Sequence, residues 1–110
     1  MIVSTGGGKY NFYFSYNYNS DGAPIASHCT ISRFIEGELV EVSIGTAYCH
    51  PDDTFSKERA RKMTMTRALE SLFPYDSDIT ENWNNMQHRK AFWDAYLNRK
   101  NLHPLVNGNR

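Results

Sequence analysis

The sequence predicts an α+β fold: an N-terminal antiparallel β-sheet followed by two C-terminal helices. Two observations carry this. Apolar residues alternate with a period of two up to about residue 49, and with a period near 3.6 from about residue 54. Turn chemistry (Asn19-Ser20-Asp21-Gly22, Glu36-Gly37-Glu38 and Pro51) sits where each element should stop. A chain of 110 residues has room for one domain, 1–110, with 1–8 and 104–110 expected as loose ends.

The first strand is expected over 10–18. Tyr10, Phe12, Phe14, Tyr16 and Tyr18 alternate with Asn11, Tyr13, Ser15 and Asn17, giving an aromatic face. The second runs from Ser27 to Ile35, with Cys29, Ile31 and Ile35 on one face and Arg33 among them. The third runs from Leu39 to Cys49, with Val40, Val42, Ile44, Thr46 and Tyr48 on one side. Gly45 in its middle predicts a bulge or a close neighbour. Asp52, Asp53 and Thr54 are candidate caps for a first helix over 54–72, which must stop before Pro74. Asp78 with Glu81 fits a capping pattern for a second helix over 79–100.

Composition excludes several classes. Twelve Lys and Arg balance twelve Asp and Glu, which argues against a histone-like binder and a nucleic-acid mimic. Hydrophobic content of 40% with 14% aromatics is too rich for a disordered chain. The longest apolar runs are too short to cross a membrane, and the start carries no secretion signal. Cys29 and Cys49 lack a CxxC partner and are expected reduced and half-buried. Charge is unevenly placed: the first 56 residues are net acidic and the remainder net basic. The halves can therefore pair with each other, across an oligomer, or leave a basic surface for an anion.

Conventional catalysis finds no support. There is no GxSxG, Walker loop or GxGxxG, and carboxylates are few at acid–base spacing. The chain is read as a non-enzyme without cofactor. His28, His50, His88 and His103 show no metal-binding spacing. His50 could be a phosphate contact, a ligand or a surface histidine. Beside it, the helix start near Thr54 and Phe55 offers unpaired amides and a positive dipole end, although a plain capped strand-to-helix turn is the leading reading.

Both helices carry arginines on apolar faces. On the first, Glu58, Arg61, Met65, Ala68, Leu69 and Leu72 share a stripe, with Ala60, Met63 and Arg67 opposite. On the second, Ile79, Met86, Arg89, Trp93, Tyr96 and Leu97 share a face, Trp83 sits at its edge, and Phe92, Ala95 and Arg99 lie on another. A guanidinium on an apolar face pairs locally, as Arg61 can with Glu58, or waits for an anion. The anion reading puts phosphate on Arg61 and Arg67, with Arg89 or Arg99 reaching in and Phe55 or Trp93 stacking a base. Two apolar faces per helix and a surplus of aromatic strand residues predict a homo-oligomer, dimer or higher.

The segment from Gly45 through Ala47, Cys49-His50-Pro51, Asp53 and Phe55, closed by Arg67-Ala68-Leu69 on a basic helix, resembles the Thoeris anti-defence sponge family of bacteriophages. The resemblance covers residues 45–69 and, beyond them, size and element order. Ala60 and Met65 depart from the family's form in the first helix. It implies a viral protein in the cytoplasm of the bacterial host. Such proteins sequester a small-molecule nucleotide signal, a cyclic ADP-ribose isomer or a cyclic oligonucleotide, without degrading it. The alternatives are a phage-type inhibitor that binds a host or antiviral protein directly, and a small nucleic-acid-binding domain, which the zero net charge disfavours.

Overall fold

A computed structural model describes residues 1–6, 8–50, 54–74 and 79–99, with side chains from residue 85 onward in the last segment. Four strands, β1 (Ile2–Thr5), β2 (Gly8–Tyr18), β3 (Pro24–Ile35) and β4 (Glu38–Tyr48), form one antiparallel sheet in the order β1-β2-β3-β4. Two helices follow, α1 (Lys57–Leu72) and α2 (Ile79–Leu97), giving the α+β arrangement that the change of period predicts. The sheet is one strand larger than expected. β1 lies within residues 1–8, where a loose end was expected, and its Val3 pairs with Tyr10. Residues 104–110 and the cap candidates Asp52, Asp53 and Asp78 lie outside the described residues.

The turns follow their sequence signals. Glu36 and Gly37 both take positive φ, 51° and 84°, in a two-residue hairpin between paired Ile35 and Glu38. At the β2–β3 turn the Asn19 side-chain oxygen accepts from the amides of Asp21 and Ala23. α1 is capped by Ser56, whose hydroxyl accepts from the Arg59 amide; Thr54 lies upstream of the cap.

The core lies between one sheet face and the helices. Phe12, Cys29, Ile31, Met65, Ala68, Leu69, Phe92 and Tyr96 are essentially closed to solvent. Each large apolar side chain buried in this way contributes roughly 1.5–3 kcal/mol. Phe92 leans on Tyr10 and Phe12, and Tyr96 meets Phe14 edge-on. Burial pushes the Cys29 thiol up to about 12. The buried face of α2 is Arg89, Phe92 and Tyr96, which joins both expected stripes; Met86 and Leu97 are exposed.

The β4 residues expected to share one side neither share it throughout nor supply the core. Ser43, Gly45 and Ala47 face α1, whereas Val40, Val42, Ile44 and Tyr48 are all substantially exposed. The reason is the approach of α1. A Cβ at Gly45 would collide with the Thr64 carbonyl and the Ala68 amide nitrogen, so small residues are required there. Ser43 Oγ donates to the Ala68 carbonyl at 2.7 Å, closing the same contact with a hydrogen bond. The register shift at Ile31/Ser32 puts a bulge in the β3–β4 ladder, so Val40 and Ile44 do not share a face.

Candidate functional site

Where β4 ends and α1 begins, a cleft of ≈ 260 Å³ opens. Its floor is Ala47, Ala60 and Met63, and its walls include Phe55, Ser56 and Arg59. The proximity of α1 and β4 at Gly45 positions it. The first amides of α1 have no partner within the helix, and the dipole there is positive. Among the described residues the Arg59 guanidinium makes no hydrogen bond or ion pair, and no carboxylate lines the cleft. The ring of Phe55 is held edge-on by Tyr16 at 6.0 Å.

A second cluster lies on the adjoining face of α1. Glu58 Oε1 accepts from Arg61 Nη2 at 2.8 Å, from the Tyr96 hydroxyl at 3.1 Å and from Arg99 Nη2 at 3.3 Å. Lys62 Nζ lies 3.5 Å from Oε2. Arg61 Nε donates to the Tyr96 hydroxyl, and the Arg99 guanidinium stacks 3.9 Å from the Tyr96 ring centre. The Arg61 hydrogen bond, with Tyr96 and Arg99 behind it, holds the Glu58 carboxyl down at about 2. Arg61 is shifted further up by Tyr96 and Glu58, so it stays charged throughout. Three cations on one carboxylate leave a local positive excess at the α1–α2 seam.

The residues singled out from sequence divide into four places. Thr54 and Phe55 border the cleft. Arg61 and Arg99 meet at Glu58, and Trp93 packs edge-on against Tyr96 at 5.9 Å. Arg67 lies on the outer side of α1, where Nη1 donates to the Thr46 carbonyl at 2.6 Å. With Arg59, Lys62 and Met63 it lines a shallow groove. Arg89 is buried at the other end of α1, donating at 2.6 Å to the Phe73 carbonyl beyond the last turn. His50 is exposed just past β4. Arg61, Arg67, Arg89 and Arg99 therefore each have a partner within the chain.

Sequence reasoning missed Arg59 and the cleft walls Ser27, Tyr48 and Cys49. A signal for Arg59 existed: it lies three residues past Ser56 and four before Met63, beside Ala60. Among the described residues no three His, Cys, Asp or Glu side chains gather as a metal-ligand set. No described helix is long and apolar enough to cross a membrane. No family model, curated protein or solved structure matches this chain.

Proposed function

We propose that this chain binds and sequesters an anionic nucleotide-type immune signal, a cyclic ADP-ribose isomer or a cyclic oligonucleotide, without degrading it. The Arg59 guanidinium carries the reading: among the described residues it is uncommitted, and no carboxylate among them lines the cleft in which it stands at a helix start. Phosphate oxygens would accept from Arg59 and from the first amides of α1, which are fixed in direction by the helix. Phe55 offers a ring for a base, and Ala47, Ala60 and Met63 an apolar floor for the ribose. The Glu58 cluster ties the start of α1 to α2, so the amides are held in place rather than ordered on binding. The resemblance over residues 45–69 supports the same ligand class and a phage protein acting in the bacterial host.

Calorimetry and thermal melts with cyclic ADP-ribose isomers and cyclic trinucleotides test the proposal. At a ligand concentration of 100 Kd, stabilisation of about 2.7 kcal/mol is expected, and mass spectrometry should recover the ligand intact. Arg59→Ala should weaken binding about tenfold or more, the worth of one charge-assisted contact. A parent chain that binds none of these ligands refutes the reading and favours a direct protein inhibitor. A parent that binds while Arg59→Ala binds equally well removes the cleft from the argument.

A further inference from the structure

Among the described residues, three serine and threonine side chains are buried between the sheet and the helices: Ser27, Ser43 and Thr64. Two of them have partners. Ser43 Oγ donates to the Ala68 carbonyl, and Thr64 Oγ1 to the carbonyls of Ala60 and Arg61. Ser27 is 3% exposed, and among the described residues its hydroxyl has no hydrogen-bond partner. Buried polar side chains nearly always find one, and a group left without costs stability. Register sets Ser27 on β3 between Tyr16 of β2 and Ala47 of β4, where it walls the cleft beside the Ala47 floor. The strands on either side offer the hydroxyl nothing, so its partner has to enter through the cleft. A residue that breaks a local rule with no compensation inside the chain marks a functional position.

We propose that Ser27 is a specificity-determining residue of the cleft: its hydroxyl pairs with a ribose hydroxyl of the ligand, and the site thereby prefers ribonucleotides to deoxyribonucleotides. The inference rests on the nucleotide reading and narrows its ligand class. Depth separates a sugar from a phosphate here. Arg59 is exposed, and among the described residues it is the one cation that lines the cleft. A phosphate therefore stays near the mouth, with Arg59 and the helix amides. Drawn down to Ser27, it would lose water and meet no charge. A neutral hydroxyl carries no such cost. Chemistry agrees: a serine hydroxyl both donates and accepts, as a sugar hydroxyl does, so either can supply the proton.

The neighbours of Ser27 account for the other parts of a nucleotide. Tyr16, opposite it on β2, holds the Phe55 ring edge-on at 6.0 Å, so the ring proposed for the base belongs to the same end of the sheet. Ala47, opposite it on β4, is part of the floor proposed for the ribose. A ribose joins base to phosphate. With the phosphate at Arg59 and the base at Phe55, the sugar between them lies over Ala47 and beside Ser27. An analogue without the hydroxyl leaves Ser27 unpaired again, and a site built to hold a hydroxyl discriminates against its absence.

Melts without ligand and calorimetry with it test the inference. Unliganded Ser27→Ala should melt no lower than the parent, because the substitution removes an unpaired hydroxyl. With cyclic ADP-ribose isomers and cyclic trinucleotides, Ser27→Ala should bind about tenfold more weakly than the parent. The parent should take a cyclic trinucleotide about tenfold more tightly than its 2′-deoxy counterpart, and Ser27→Ala should take the two alike. A parent that binds none of these ligands refutes the nucleotide reading and this inference with it. Where the parent binds and Ser27→Ala binds as tightly, this inference alone is overturned. It is overturned also by a parent that takes the 2′-deoxy form equally well. An unliganded Ser27→Ala that melts more than about 2 °C below the parent has the same force, since the hydroxyl would then be used within the chain.

Discussion

Gly45→Ala adds one methyl group where the backbones of β4 and α1 touch. The new Cβ would land on the Thr64 carbonyl and the Ala68 amide nitrogen. These are main-chain atoms on the sheet-facing side of α1, not the tip of a side chain that can swing away. To restore ordinary contact the helix must retreat by more than about 1 Å. Overpacking of this kind costs about 1–3 kcal/mol. The Ser43–Ala68 hydrogen bond, two residues along the strand, is stretched by the same retreat, which adds about 1 kcal/mol. Against a total stability of about 5–15 kcal/mol this is a large fraction. Thermal denaturation should show a melting temperature lower by about 10 °C or more, at roughly 4 °C per kcal/mol for a domain of this size. Gly6→Ala is the control, because nothing lies within 4 Å of a Cβ there. A Gly45→Ala protein that melts within about 2 °C of the parent would refute the close seating of α1 on β4. The same seating frames the cleft, so the proposed nucleotide affinity should fall along with stability although no cleft side chain has changed.

Two further outcomes follow from the charged and polar groups. Glu58 is held at about 2 by its cations, against an ordinary 4.5; its stabilisation is fully present above pH 4.5 and is lost as pH falls toward 2. Glu58→Gln should therefore flatten that part of the stability–pH curve measured by urea unfolding, and an unchanged curve contradicts the cluster. His88 stacks on Phe73 at 4.8 Å with a buried, unpartnered Nδ1, and burial lowers its pKa. The unfolded chain thus takes up the proton first as pH falls below 6.5, and stability drops with it. His88→Phe keeps the stack and removes the orphan nitrogen. It should stabilise by about 1 kcal/mol at neutral pH and by more below pH 6.5, and a destabilised variant at either pH argues against the orphan nitrogen.

The order of elements was legible because hydrophobic period is a local property. Tyr10, Phe12 and Phe14 announce a strand, and Met65, Ala68 and Leu69 a helix face, whatever surrounds them. The orientation of β4 was not legible. Its larger residues suggested one shared side without saying which side is buried; the buried side is small because a helix backbone lies against it, and only Gly45 hinted at this. β1 was missed because four residues beside a glycine run give too short a pattern to show a period. The partners of the arginines were partly legible: Glu58 with Arg61 is a helical spacing, whereas Arg89 at the Phe73 carbonyl and Arg67 at the Thr46 carbonyl join distant parts of the chain.

Helical geometry explains why Arg59 is left over while its neighbours are engaged. Residues three and four apart share a helix face, and neighbours point about 100° apart. Glu58, Arg61 and Lys62 therefore gather on one side, where Tyr96 and Arg99 of the α2 segment join them. Arg59, one step on, turns toward Met63 and the end of β4. One carboxylate thus separates Arg61 and Lys62 from Arg59. Arg61 and Lys62 are held at Glu58, Lys57 lies over the Tyr16 ring and Arg67 donates to the Thr46 carbonyl, so among the described residues Arg59 is the α1 cation left for the proposed ligand. A second carboxylate on the cleft face would have cancelled it. Among the described residues of α1, the acidic residue on that side is Glu70, in the outer groove with Thr66 and Arg67 and outside the cleft. An anion entering the cleft, as proposed, would meet a guanidinium and helix amides, with no carboxylate among the described lining residues to displace. At the seam it would have to compete with Glu58, whose low pKa measures how firmly that position is already held. The seam therefore serves to fix the start of α1, and the cleft beside it is where the proposed ligand would sit.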